Sequence, residues 1–356
     1  MSSQLFTRDG DEFLECRIAE ICRDVREELL AIMSPKTLKG IALAGGYGRG
    51  EGGVFHTEAG DKPYNDVEFF AFAHGPRHIL RKRWNRKIHA LEIRLTEKYD
   101  IDVEIRLLGS GEIQRSNPSM FYYDLLMGHF WVLGDESLLE NCQHHADPKN
   151  LPVSEATRLL MNRASGLLFA KRRLSQDSFD SKDADFVFRN LAKAQLAMGD
   201  SILASRGRYH WSCLERHKRL VSLQRNKEVV EHHWAGVEFK LHPHLPECSK
   251  EELQDCLEDV SDQLLEVFLQ IESKRLGRFI PSADYYLKIR SQTSTPFNLR
   301  NRLINFRDSG PAGLLDDSHP RERLLDLLCS QLWCREENQP ASCRPENWVG
   351  LWQRHG

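Results

Sequence analysis

The sequence predicts an α+β chain, with a small mixed sheet within residues 1–150 and an all-α domain over residues 151–356. Three observations predict this class. Residues 100–108 alternate apolar and polar side chains with the period of a strand, residues 66–72 alternate well enough to be another, and Ile41-Ala42-Leu43-Ala44 is an apolar run ending in two glycines. Residues 76–98 space Ile79, Leu80, Trp84, Ile88, Leu91 and Leu95 at helical intervals, as a crossover helix between strands would. Beyond Trp131-Val132-Leu133-Gly134 the alternation stops and long helical patterns take over.

Taken in order, residues 12–33 place Phe13, Leu14, Ile18, Ile21, Val25 and Leu29 among acids and bases and read as an amphipathic opening helix. The apolar run at 41–44 reads as a buried strand entering a tight turn, and residues 56–64, with Gly60, Asp61 and Pro63, as an exposed hairpin-like connection. In the third strand Asp102, Glu104 and Arg106 share one face and aliphatic residues the other. Candidate helices of the second half cover 154–174, 183–205, 213–231, 250–276 and 321–334, and the second carries an apolar stripe of Phe186, Leu191, Ala194, Met198 and Ile202. Residues 291–297 and 308–320 look like loose linkers.

The totals limit the functions to consider. A chain of 356 residues suits two domains, each able to bury its own core. With 49 Lys+Arg against 52 Asp+Glu the net charge is -3, which offers no footprint for long nucleic acid, so a small substrate is expected. No apolar run is long enough for a membrane span, and the first ten residues lack the layout of a secretory signal, so a cytoplasmic, membrane-free protein is expected. Nine scattered cysteines without a C-x-x-C pair suggest reduced thiols that mostly pack.

Chemistry concentrates in Gly45-Gly46-Tyr47-Gly48-Arg49-Gly50-Glu51 and in Asn65-Asp66-Val67-Glu68. Glycine turns let backbone N–H groups approach phosphate oxygens, and a helix start adds its dipole. Arg49 is a candidate partner for the same phosphates. Asp66 and Glu68, one residue apart on a strand, project the same way and can share divalent ions. A third carboxylate from the neighbouring strand completes such a cage, and both Asp102 and Glu104 are placed to provide it. A turn and a solvated strand explain either element alone; the ordered combination points to nucleotidyl transfer.

These residues resemble the DNA polymerase β-like nucleotidyltransferase superfamily, whose pattern is an apolar strand, Gly-Gly or Gly-Ser, a short helix, then a strand bearing Asp-x-Asp or Asp-x-Glu. The glycine run looks especially similar to PII-uridylylating enzymes and aminoglycoside nucleotidyltransferases. The resemblance covers about residues 38–108. It implies a Mg²⁺-dependent enzyme, with two ions, moving NMP from an NTP, ATP included, to a hydroxyl-type and preferably small acceptor. By it, Asp66 and Glu68 hold the metal, Glu104 or Asp102 is third ligand or general base, and Gly45, Gly46 and Arg49 meet the nucleotide. Two departures stand out: Gly46 replaces the usual serine, and the interval from Gly46 to Asp66 is long, as the 56–64 connection explains. The competing readings are a non-catalytic nucleotide-sensing or toxin–antitoxin interaction protein, and a transferase that adenylylates or uridylylates a partner protein.

The helical half resembles, more weakly, the domains that complete the substrate cleft in such transferases. Lys193 looks like a lysine reaching the triphosphate, although lysines on amphipathic helices are usually just solvated; Asp200 and Tyr209 are weaker candidates. His232, His233, His242, His244 and Cys248 crowd together, but their spacing fits no four-ligand zinc pattern, and Pro243 and Pro246 argue for a loop. Cys329 and Cys334, five apart on an expected helix, read as packing residues. His56-Thr57-Glu58 echoes a deaminase motif without the P-C-x-x-C that should follow. Arg77, Arg81, Lys82, Arg83, Arg86 and Lys87 around Trp84 read as a solvated helix face before an RNA contact.

Overall fold

The computed structural model describes residues 5–64, 66–109, 111–223, 226–292, 298–315, 317, 320–334, 350 and 352–353. The chain opens with α1 (Glu12–Ile32), β1 (Leu38–Leu43), the one-turn helix α2 (Gly45–Gly48), β2 (Val54–Thr57), β3 (Gly60–Pro63), β4 (Val67–Ala73), α3 (Arg77–Tyr99) and β5 (Val103–Gly109). Two short helices, α4 (Glu112–Arg115) and α5 (Met120–Met127), lead to β6 (Phe130–Leu133) and to 3-10 turns over Glu136–His145 and Pro148–Asn150. Helices then follow: α6 (Val153–Leu174), α7 (Ser181–Ser205), α8 (Cys213–Leu223), α9 (Lys227–Leu241), α10 (Lys250–Leu276), α11 (Ala283–Gln292), α12 (Leu299–Ser309) and α13 (Pro320–Trp333). The chain is thus mixed, with a small sheet first and a helical C-terminal region. Among the described residues no helix is long and apolar enough to cross a membrane.

Two compact units divide these elements: Met1–Glu155 with Leu203–Leu245, and Ala156–Ile202 with Pro246–Gly356. The sequence predicts a single boundary near 150. The first crossing falls close to it, but residues 203–245, α8 and α9 among them, return to the sheet-bearing unit. Local periodicity identifies those helices without saying against which core they pack.

In the first unit the sheet order is β5-β4-β1-β6, with β4 and β5 parallel and β1 antiparallel to both β4 and β6. Alternation along β4 sends Val67, Phe69, Ala71 and Ala73 into a core with α1 and α3, where Leu14, Ile18, Val25, Leu91 and Leu95 are buried. Phe70 and Phe72 point the other way, into a second cluster with Ile113, Leu125 and Leu139. With both faces covered along most of β4, its polar side chain, Glu68, stands near the strand's N-terminal end. β5 repeats the division, with Ile105 and Leu107 on the α3 side and Leu108 on the other. α1 starts where the Asp11 carboxylate accepts from the Leu14 amide at 2.8 Å.

In the second unit α10 begins with a complete capping box between Ser249 and Glu252 and ends at Gly277 in the left-handed conformation. Its buried Glu272 accepts from the Thr157 hydroxyl at 2.6 Å and pairs with Arg275.

Several expectations change in detail. The 56–64 connection is a closed hairpin, paired from Val54↔Pro63 to Thr57↔Gly60. β6, only four residues long, gave too short a period to be read as a strand. The helix expected over 213–231 is two, because the Asn226 side chain caps a new start by accepting from the Glu228 amide. Much of the linker expected at 308–320 is the end of α12 and a 3-10 turn, Gly310–Leu315. The linker expected at 291–297 lies mostly outside the described residues.

Candidate metal and phosphate site

Parallel pairing of β4 with β5 puts Glu68 directly beside Glu104, and each lies on the face opposite the α1–α3 core. Asp66 stands just before β4, so one oxygen from each of Asp66, Glu68 and Glu104 lies within 4.8 Å of the others. Glu104, not Asp102, is therefore the third acid of the cluster. Asp102 precedes β5 and contributes its backbone carbonyl, which accepts from the Val67 amide at 2.8 Å and sets the register.

Three carboxylates at this range repel one another. Burial pushes the Glu68 carboxyl above its usual range, and the neighbouring Asp66 and Glu104 charges push it further, against the pull of Arg106 and Arg49. Arg106, two residues beyond Glu104 on the same face, answers this charge: its Nη2 lies 2.9 Å from Glu104 Oε2 and 3.5 Å from Glu68 Oε1.

The glycine turn closes against this cluster. Gly45 has φ +63°, and a β-carbon there would stand 2.8 Å from Glu68 Oε2. A β-carbon on Gly46 would stand 2.9 Å from the Glu51 carbonyl oxygen, so the turn has no room for the serine usual in the resembled family. Tyr47 points inward, with its hydroxyl donating to the Gly53 carbonyl at 2.9 Å and accepting from the Tyr64 amide at 3.1 Å. α2 is a single turn, so its dipole adds little and the turn itself carries the geometry.

Arg49 sits differently from the phosphate ligand expected of it. Its Nη1 pairs with Asp124 Oδ2 at 3.1 Å and its side chain is largely buried. Asp124 also accepts from the Tyr209 hydroxyl at 3.2 Å, and Arg216 donates to that hydroxyl at 3.1 Å. Arg49 thus braces the turn through α5 to the 203–245 segment. Glu51 makes a second brace: its carboxylate accepts from the Ser212 hydroxyl at 2.5 Å and the Cys213 amide at 2.9 Å, with Lys240 Nζ at 3.8 Å. Burial opposes the Glu51 charge, but Lys240 and these donors outweigh it and hold its carboxyl below the ordinary range.

Lys193 is exposed on α7 and belongs to the second unit, as does the buried Asp200. Trp84 is only 8% exposed, flanked by Arg83 and Lys87, and so packs in the core instead of offering a stacking platform. Of the histidine group, His233 is buried against His217 at 3.2 Å. The described cysteines are free thiols.

Sequence reasoning named both Glu104 and Arg106 on one face but missed the braces. Their partners are more than 70 residues apart in Arg49–Asp124 and more than 160 apart in Glu51–Cys213, and no periodic signal links them. Searched against models of known families and against curated proteins, the chain matches none.

Proposed function

We propose that the first unit is a polymerase β-like nucleotidyltransferase domain that moves NMP from an NTP to a hydroxyl of a small acceptor. The observation that carries this reading is the cluster of Asp66, Glu68 and Glu104, packed against a glycine turn in which Gly45 leaves room for Glu68. An all-oxygen, triply acidic set suits hard cations such as Mg²⁺. Asp66 and Glu68 would hold such ions, which when bound supply charge stabilisation to the attacking and leaving oxygens. Glu104 stands third, within reach of the same ions and able to take the proton that the attacking hydroxyl releases. Attack on the α-phosphorus forms the new O–P bond as the bond to pyrophosphate breaks. The Gly45-Gly46 backbone is assigned to the triphosphate, and Arg49 to holding that turn.

Incubation with each of four α-labelled NTPs, Mg²⁺ and a panel of small hydroxyl-bearing acceptors tests the reading. Label should move to an acceptor with the wild type and not with Asp66→Ala. Nucleotide binding that Asp66→Ala leaves intact, with no transfer to any small molecule or co-purifying protein, would sink it.

One observation favours the second reading, a nucleotide-sensing interaction protein without turnover. Arg106 already bridges Glu68 and Glu104, supplying the positive charge that ions would otherwise provide. Retention of NTP binding in EDTA, and its loss in Arg106→Ala, would support that alternative.

A further inference from the structure

We infer that Asp9, His56 and His242 form a second metal site in the first unit, one for a borderline, imidazole-preferring divalent cation of the Zn²⁺ class. One ligand atom from each lies within 4.8 Å of the other two. His242 Nε2 is 2.6 Å from Asp9 Oδ2, and the His56 and His242 rings stack at 5.9 Å with 21° between their planes. Two imidazoles and a carboxylate are a donor set for Zn²⁺, in contrast to the all-oxygen cluster of Asp66, Glu68 and Glu104.

A second, independent observation is how His56 is held. Across the β2–β3 hairpin His56 is the register partner of Asp61, and its Nδ1 lies 2.7 Å from Asp61 Oδ1. Asp61 is itself clamped: its Oδ2 accepts from the Asp11 amide at 2.8 Å, and its own amide donates to Asp11 Oδ2 at 3.1 Å. A carboxylate on one imidazole nitrogen sets the tautomer and leaves the lone pair on Nε2, which is how metal-ligating histidines are oriented. Ligand atoms around one Zn²⁺ at 2.0–2.1 Å stand roughly 3.3 Å apart, so the cluster closes by rotating side chains that are all about half exposed. Three protein ligands leave a position for water. The ligands come from the segment before α1, from the hairpin and from the C-terminal end of α9, so a bound ion would staple three parts of the unit together.

The test uses the full, tag-free chain stripped with EDTA and titrated calorimetrically with Zn²⁺, with Co²⁺ absorption as a spectroscopic readout of imidazole ligation. Expected are one equivalent of Zn²⁺ bound, its loss in His56→Ala and in His242→Ala, its retention in Asp66→Ala, and affinity about tenfold or more weaker in Asp61→Asn. Circular dichroism checks that the variants fold, and His56→Gln with His242→Gln serves if the alanine pair does not. No uptake by the wild type, or uptake undiminished in both histidine variants, overturns the site.

Discussion

Gly45 and Glu68 share one space: a β-carbon at residue 45 would stand 2.8 Å from Glu68 Oε2, and the backbone of Gly45 is left-handed. Gly45→Ala should therefore cost about 1–2 kcal/mol through backbone strain. It should also displace the carboxylate and, on the proposed function, lower transfer on the order of 100-fold, as ångström-scale misplacement does. Denaturant midpoints and turnover of the same variant measure the two effects.

The third acid is decided by comparing two neutral variants. Glu104→Gln should weaken Mg²⁺ binding on the order of tenfold, because one charged ligand of the set is gone. Asp102→Asn should leave it unchanged, since Asp102 acts through its carbonyl on the Val67 amide. Calorimetric Mg²⁺ titration of both decides the matter.

Arg106 pairs with Glu68 and Glu104, so on the proposed reading it would compete with a cation for them. The guanidinium is half exposed, so its pairing is worth only about 0.5–1 kcal/mol. Arg106→Ala should accordingly tighten Mg²⁺ binding by roughly two- to fivefold. Equal or weaker binding would assign Arg106 a supporting role instead.

Glu51 ties acid stability to the brace. Its carboxyl is held below the ordinary 4.5, so its contribution is fully present above that value and is lost as pH falls through the depressed folded value. Glu51→Gln would strand Lys240 in a largely buried place and cost about 3 kcal/mol near neutrality. Urea midpoints followed from neutral to acid pH should show a shallower acid limb in the variant than in the wild type.

Much of the first unit was legible in the chain because its signals are local. The alternation of β4 and β5, the helical spacing of α1 and α3, and the Asp66–Glu68 interval each need only neighbouring residues. The candidate site was legible to the same depth. Asp102 and Glu104 read identically, being two residues apart on one face, and only pairing with β4 tells which meets Glu68. Arg49 read as a phosphate ligand because nothing near it in sequence announces Asp124.

The histidines show the same limit from the other side. The residues of the 232–248 group are neighbours in sequence, yet His233 turns inward to His217 while His242 meets Asp9 and His56. By itself the sequence determined the order of elements, the acid-bearing strands and the glycine turn, since covalent spacing and side-chain period dictate these. Tertiary structure alone decided which acid stands beside Glu68, the bracing of Arg49 and Glu51, and the Asp9–His56–His242 cluster. Each depends on strand register or on the approach of segments far apart in the chain, set by the packing of the whole unit.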